Sequence, residues 1–311
     1  MVHALGINAL AFGAEYADLD TLQSAADILN REPDVFRDAL HRSLADGASY
    51  ASARRRAFAK AAPQIAFALD EPNTVLGIEY IRAAENIGAD ITMYPVLRLG
   101  SDHACSTPFD REQFPSSAAV RAALQQSSGT RWGQILQAAG TPVSFKPTRW
   151  RRSLFTLVSA MLRNADASML DRLPDAEPGI AHRLIAAARN SGTWDELVTT
   201  ASSRRHPPAR IRRLLLSALL GVDSNTVSSA FLEANLYGHV LGIRDGAQQM
   251  FGQLCSSAGI PVSPSPRSFT KSPLLAADLV SCDMYGLLVS PVRHAGADFT
   301  TPLQVVIPGT D

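Results

Sequence analysis

The sequence predicts an α/β domain followed by a mainly helical domain that contains a small α/β element. Before residue 125, apolar strand-like stretches alternate with helical periods, which is the pattern of a parallel α/β sheet. From there to residue 235 the pattern is almost wholly helical, and a short strand, turn, helix and strand follow. We therefore expect two domains, at residues 1–125 and 126–311.

The first domain opens with one predicted strand and three predicted helices. The strand is INALAF, and Gly13 follows it. The helical stretches are DLDTLQSAADILN, DVFRDALHRSLADG and SYASARRRAFAKAA, and in the first two the apolar residues recur at helical spacing. The three consecutive arginines of the third stretch are typical of a solvated helix face.

A fourth helix and a second strand complete this domain. In EPNTVLGIEYIRAAENIG, Asn73 or Thr74 can accept a hydrogen bond from the free N–H groups of a helix start. The apolar residues of this helix form one stripe, at Leu76, Tyr80, Ala83, Ala84 and Ile87. The predicted strand DITMYPVLRL follows, and Arg98 lies near its end. Because ligands of parallel sheets lie beyond the carboxyl ends of the strands, Gly13, Asn73 and Arg98 become candidate binding residues.

The second domain contains several helical elements and a short α/β piece. The helical stretches are FTLVSAMLRNA, GIAHRLIAAARN, TWDELVTTA and PPARIRRLLLSALLG. In the last of these, Pro207 and Pro208 suit the first turn, and Gly221 lies just past the end. The stretches HVLGI, RDG, AQQMFGQLCSSAG and IPVS then predict a strand, a turn, a helix and a strand.

Composition excludes several classes of protein. The 29 basic residues balance the 29 acidic ones, so any polyanion must be bound by a local patch. The three cysteines lack C-x-x-C spacing, and no apolar run approaches the roughly 18 residues that span a bilayer. We therefore expect a cytoplasmic protein. The sequence contains no H-E-x-x-H, Walker A, G-x-S-x-G or G-x-G-x-x-G motif, so it gives little support to metal-dependent hydrolysis or a serine triad.

The remaining polar candidates fit an anionic nucleotide. Asn73 at a helix start can hydrogen-bond a ribose or a base edge, and the helix terminus favours anions. Arg98 offers a planar fork for phosphate. The plain alternatives are that Asn73 is an ordinary helix cap and that Arg98 forms a surface ion pair.

Several stretches, in order along the chain, resemble the bacterial tRNA(Met) cytidine acetate ligases. They are ALAFGAE, PNTVLGIEYIRA, VLRLGSDH, SSAAVR, SSRRHPPARIRRLLLSALLG and HVLGIRDG. The corresponding family patterns include P-N-N-I-L-G-I-E-Y, a strand ending in R-I-G before a His, S-A-T-A-I-R and V-L-G-F-x-x-x-G. The resemblance covers nearly the whole chain.

The resemblance implies an incomplete Rossmann-like nucleotidyltransferase domain joined to a helical tRNA-binding domain. Such enzymes form acetyladenylate from ATP and acetate, then acetylate the wobble cytidine of elongator tRNA(Met). By motif match the resemblance implies that Gly13, Asn73 and Arg98 bind ATP. The implied reaction is also compatible with Mg²⁺ as a cofactor. Ser116 and Arg121 are candidate phosphate ligands, although Ala118 replaces the threonine of the family pattern.

One part of the family pattern has no counterpart here. It is an N-terminal loop of the form A-E-Y-N-P-F-H-x-G-H, whose histidines bind the ATP phosphates. We therefore expect a truncated chain or a start set downstream of the true one, in preference to a remnant or one half of a split protein, and a chain without this loop can be inactive. Two alternatives to the ligase stay open: a tRNA-binding protein without catalysis, and a small-molecule adenylyltransferase of the same superfamily.

Two basic stretches are candidates for tRNA binding. KPTRWRR places basic side chains around Trp150, a possible stacking surface, and SSRRHPPARIRR forms a second cluster. The plain alternative is a solvated helix face and a core tryptophan. The predicted phosphate contacts are Arg149, Arg152, Arg204, Arg205, Arg210 and Arg213.

Overall fold

The computed structural model describes four ranges of the chain, residues 1–98, 147–232, 235–289 and 291–306. The described residues divide into two compact units, one made of residues 7–98 and the other of residues 1–6 and 147–306. The domain boundary predicted near residue 125 falls outside the described ranges, as do Ser116 and Arg121.

The first unit alternates strands and helices, as the sequence predicts. Its elements are β1 (Ala9–Ala14), α1 (Leu19–Arg31), α2 (Asp34–Ala45), α3 (Tyr50–Ala61), a 3-10 segment (Pro63–Leu69), α4 (Pro72–Asn86) and β2 (Thr92–Leu97). The strands β1 and β2 pair in parallel, so that Gly13 lies opposite Val96 and Ala14 lies opposite Leu97. Their carboxyl ends therefore meet at one edge of the sheet, which confirms the predicted α/β class.

The core of this unit lies between the helices and one face of the strands. Asp18 and Ser49 cap α1 and α3 by accepting hydrogen bonds from backbone N–H groups in the first turn. Alanines on these helices allow close packing around larger buried side chains. The largest of these side chains are Leu22, Leu29, Phe36, Phe58 and Ile78.

The apolar stripe predicted for α4 is wrong except at Ala84, which is buried. Leu76 is 47% exposed and Ile87 is 62% exposed, whereas Gly77, Ile78 and Ile81 are buried. The reason is the close approach of α4 to β1, because a Cβ atom built on Gly77 would lie 2.3 Å from the ring of Phe12. Only the face that carries this glycine can pack so closely against the strand.

The second unit is mainly helical. Its helices are α5 (Pro147–Asn164), α6 (Ala167–Leu170), α7 (Ile180–Asn190), α8 (Trp194–Ala201), α9 (Pro208–Leu220), α10 (Ser224–Ala230), α11 (Gln248–Ser257), α12 (Leu274–Leu288) and α13 (Ala297–Thr300). Their buried side chains, among them Leu162, Leu184 and Leu214, form a separate core. Over the described part of the chain, every helix is too short or too polar to cross a bilayer.

Short parallel strands form the α/β piece of this unit. They are β3 (Gly238–His239), β4 (Gly242–Arg244), β5 (Val262–Ser263) and β6 (Gln304–Val306). The predicted strand HVLGI is divided between β3 and β4, which pair with β5 and β6 respectively. The predicted order of strand, turn, helix and strand is therefore confirmed, with α11 between β4 and β5.

Candidate functional site

Two of the three predicted nucleotide-binding residues lie where the strands of the first unit end. Arg98 directly follows β2, and its backbone N–H donates to the carbonyl oxygen of Ala14 at 2.9 Å. A Cβ atom on Gly13 would lie 3.2 Å from Cγ of Arg98. Gly13 therefore leaves room for the arginine side chain to cross the end of β1.

Asn73 lies beside this strand edge, at the start of α4. Its Nδ2 donates to Oε1 of Glu15 at 2.5 Å. Glu15 follows β1 directly, so this hydrogen bond joins the end of the strand to the start of the helix. The structure thus brings Gly13, Asn73 and Arg98 together around Glu15.

Glu15 also holds the first turn of α4 through Thr74. The backbone N–H of Thr74 donates to Oε2 of Glu15 at 2.9 Å, and its hydroxyl donates to the same oxygen at 3.1 Å. The Thr74 hydroxyl oxygen accepts from the backbone N–H of Tyr16 at 3.1 Å. Because Thr74 is fully buried, these polar groups are satisfied by one another rather than by water.

The cap of α4 therefore differs from the one expected from the sequence. Glu71 occupies the N-cap position without a side-chain capping bond, and Asn73 lies inside the first turn. The carboxylate of Glu15, distant in sequence, takes the place that a capping side chain or a bound anion would fill. The signal for Glu15 was a charged residue directly after an apolar strand, and the sequence reasoning missed it.

This cluster contains two side chains of opposite charge, the carboxylate of Glu15 and the guanidinium of Arg98. Burial acts to raise the pKa of Glu15, but hydrogen bonds from Asn73 and Thr74 outweigh it and leave the pKa below its usual value. Nε of Arg98 lies 4.0 Å from Oε1 of Glu15, and the arginine side chain is 41% exposed. An ionised carboxylate and a partly exposed guanidinium therefore stand side by side at the strand edge, where a polar anionic ligand can reach the cation.

The described residues give no support for a metal centre in the protein itself. Within the ranges that the structure covers, no group of three or more His, Cys, Asp or Glu side chains is arranged to hold a metal ion. The arrangement around Glu15 offers instead one cation, one amide and several fixed hydrogen bonds, which suits a nucleotide.

The basic cluster of the second unit is organised by an acidic residue. Nε of Arg205 lies 2.7 Å from Oε2 of Glu177, and Nη1 of Arg210 lies 2.8 Å from Oε1. His206, which is buried, places Nε2 at 3.4 Å from the same carboxylate. The hydrogen bond from Arg210, helped by the charges of Arg210, Arg205 and His206, holds the pKa of Glu177 below its usual value.

The arginines of this cluster differ in exposure. Arg210 is only 19% exposed, and its Nη2 also donates to the backbone oxygen of Asp175 at 2.6 Å. Arg205 is 77% exposed, and Arg213 is 66% exposed with Nη2 at 4.0 Å from Asp175. Arg204 is exposed as well. Arg210 is thus placed to fix the loop before α7, whereas the other three arginines face solvent.

The other basic stretch begins α5. Arg152 is exposed there, and the side chain of Arg149 lies outside the described part of the structure. Arg151 pairs with Asp195 at 3.4 Å and places its guanidinium carbon 6.0 Å from the ring centroid of Trp150. Trp150 packs against the helical core while remaining partly accessible.

Comparisons with known proteins identify relatives of this chain. A relative from Acetivibrio thermocellus named tRNA(Met) cytidine acetate ligase is 26% identical over 325 residues, covering 96% of this chain and 77% of the relative. A protein of the same name from Syntrophomonas wolfei is 28% identical over 327 residues, covering 97% of this chain and 76% of the relative. The resemblance to this group of proteins is therefore confirmed.

Solved structures support the same fold. The apo crystal structure of Thermotoga maritima TmcAL matches with a TM-score of 0.83 at 20% identity, covering 98% of this chain and 79% of that one. A second crystal structure of that protein, bound with alpha-thio ATP, matches with a TM-score of 0.80 at 19% identity, covering 98% and 78%. A family model described as HIGH Nucleotidyl Transferase matches residues 1–298. Because this match spans nearly the whole sequence, the chain belongs to the HIGH nucleotidyl transferase family.

Proposed function

We propose that this chain is an ATP-dependent ligase that acetylates the wobble cytidine of elongator tRNA(Met). The observation that carries the proposal is the cluster of Gly13, Asn73 and Arg98 around Glu15 at the ends of two parallel strands, in a member of a nucleotidyltransferase family. The names of its relatives and the bound nucleotide analogue of a structural neighbour support the same reading.

The first step would activate acetate. A carboxylate oxygen of acetate attacks the α-phosphorus of ATP, the bond from that phosphorus to the bridging oxygen breaks, and pyrophosphate leaves with the electron pair. The guanidinium of Arg98 is placed to hold phosphate charge, and Asn73 to hold the nucleoside. Ser116 and Arg121 remain proposed phosphate ligands, and Mg²⁺ remains an expectation. The protein contributes mainly position, because no covalent intermediate with a side chain is needed.

The second step would transfer the acetyl group to RNA. The exocyclic amine of cytidine attacks the acetyl carbonyl of acetyladenylate, loses a proton, and expels AMP. We propose that exposed arginines of the second unit, including Arg152, Arg204, Arg205 and Arg213, contact tRNA phosphates. Arg149 stays in this proposal on sequence grounds alone. The reaction would take place in the cytoplasm, where tRNA is modified.

The test is direct detection of the modified nucleoside. The chain is incubated with ATP, acetate and tRNA(Met), and the digested tRNA is analysed for acetylcytidine by mass spectrometry. We expect acetylcytidine only when all three substrates are present, and at least about a hundredfold less with Arg98→Ala, because one charge-stabilising donor is lost. Arg56→Ala, which removes an exposed arginine of α3, is the matched control and should leave the yield unchanged.

Two results would contradict the proposal in different ways. Binding of tRNA without any acetylcytidine would favour the tRNA-binding protein without catalysis. Adenylation of a small acid without binding of tRNA would favour the small-molecule adenylyltransferase. The basic surface of the second unit counts against the latter, because a free small substrate does not need it.

A further inference from the structure

We propose that Glu15 is a positioning residue that sets the direction of the Asn73 amide and thereby selects the hydrogen-bonding chemistry of the nucleotide. The inference rests on the proposed function, since it concerns the same site. It gives a role to Glu15, to which the motif match assigns none. It also states which kind of ligand group forms a hydrogen bond with Asn73.

The direction of the Asn73 amide follows from the chemistry of its partner. An ionised carboxylate accepts hydrogen bonds and donates none. The contact of 2.5 Å between Asn73 and Oε1 of Glu15 must therefore be made by the NH₂ group of the amide. The amide oxygen, Oδ1, consequently lies on the other branch of the group, turned away from Glu15.

Glu15 is itself held in one orientation. Its second oxygen receives both the backbone N–H and the hydroxyl of Thr74, at 2.9 Å and 3.1 Å. Thr74 is fully buried and is fixed in turn by the N–H of Tyr16. The Glu15 side chain is 23% exposed, so water competes weakly for these bonds. These contacts join β1 to α4 and leave little freedom for the carboxylate to rotate.

The consequence concerns the ligand. Because Oδ1 of Asn73 is an acceptor, a ligand group that meets it must be a hydrogen-bond donor. In a nucleotide such donors are the exocyclic amine of adenine and the ribose hydroxyls. The positive charge of Arg98 attracts phosphates, so we place the phosphates towards Arg98 and the nucleoside end towards Asn73.

Glu15→Gln tests this role without removing hydrogen bonds. In this variant the amide oxygen of the new side chain can still accept from Thr74, while its NH₂ group faces Asn73. The Asn73 amide must turn over to present its oxygen to that NH₂ group, and it would then offer a donor to the ligand. A purely structural role predicts no loss of nucleotide binding, because every hydrogen bond is replaced and the removal of a negative charge beside Arg98 favours phosphate.

The measurement is nucleotide binding by calorimetry with ATP, ITP and 2′- and 3′-deoxy-ATP. Thermal unfolding checks that each variant is folded. We expect Glu15→Gln to bind ATP about tenfold more weakly than the unchanged chain or worse, the size expected for one charge-linked hydrogen bond. Glu71→Gln is the matched control, because it removes a carboxylate at the cap of α4 that makes no capping bond.

The analogues identify the donor. If it is the adenine amine, the unchanged chain prefers ATP to ITP, and Glu15→Gln loses or inverts that preference. If instead only a deoxy analogue binds the unchanged chain weakly and Glu15→Gln keeps that preference, Glu15 does not select the ligand group, because a ribose hydroxyl can accept from the turned amide as well as donate. The first result supports the inference and the second contradicts it.

Two further outcomes would overturn it. Binding of ATP by Glu15→Gln within twofold of the unchanged chain, with the same selectivity, would refute the role of Glu15 while leaving the proposed function intact. Failure of the unchanged chain to bind ATP would refute the proposed function and this inference together.

Discussion

At the scale of single residues, two carboxylates organise the cationic and polar side chains of the candidate sites. Glu15 accepts hydrogen bonds from Asn73 and Thr74 beside Arg98. Glu177 forms salt bridges with Arg205 and Arg210. Both carboxyl groups have a pKa below the usual value because they are hydrogen-bonded. Each is thus ionised near neutral pH and holds its neighbours in place. The side chains proposed to bind anionic ligands are therefore supported by carboxylates of the protein.

Arg210 and Arg213 are predicted to act differently although both belong to α9. Arg210→Ala removes a mostly buried partner of Glu177, so the melting temperature should fall by several degrees. Arg213→Ala removes an exposed charge and should leave the melting temperature within about one degree. It should reduce the slope of log K against log salt for tRNA binding by about 0.7–0.9, the value for one lost phosphate contact.

Thermal unfolding and salt titrations of tRNA binding check this pair of variants. Each protein is compared with the unchanged chain under the same ionic conditions. An Arg210→Ala protein that melts with the unchanged chain would contradict the structural role of Arg210. An unchanged salt slope for Arg213→Ala would contradict its contact with RNA.

At the scale of elements, the contact between α4 and β1 positions the proposed nucleotide site. Gly77 lets the helix approach Phe12 closely, and this approach brings Asn73 within reach of Glu15. The sequence indicated the helix, the strands and their parallel order, because these follow from local period and cap residues. It did not indicate which face of α4 is buried, since both faces carry apolar residues and only the neighbouring strand decides between them.

Gly77→Ala is expected to destabilise the chain. Overpacking against Phe12 should cost about 1–3 kcal/mol, offset by at most about 1 kcal/mol from better helix propensity. Gly252→Ala is the matched control, because no atom lies within 4 Å of its added Cβ in the interior of α11. That variant should be neutral or stabilised by up to about 1 kcal/mol. Urea unfolding followed by circular dichroism measures both, and equal stability of the two variants would contradict the close contact of α4 with β1.

At the scale of the whole molecule, the sequence predicted a nucleotide-binding α/β part and a helical part with basic surfaces. Gly13, Asn73 and Arg98 could be proposed because polar residues at strand ends and helix starts have a physical meaning in parallel sheets. Glu177 could not be found in this way, because its partners lie far from it in sequence and meet it only through packing. Ser116 and Arg121 remain proposals from the sequence, since they lie outside the described residues.

The proposed function requires that this chain activates acetate with ATP. The most direct measurement is the exchange of labelled pyrophosphate into ATP, with and without acetate, in the presence and absence of tRNA(Met). We predict exchange that depends on acetate and is lost in Arg98→Ala, because the exchange requires reversible formation of acetyladenylate. Absence of exchange under all these conditions, from a folded chain that binds tRNA, would contradict the proposed function.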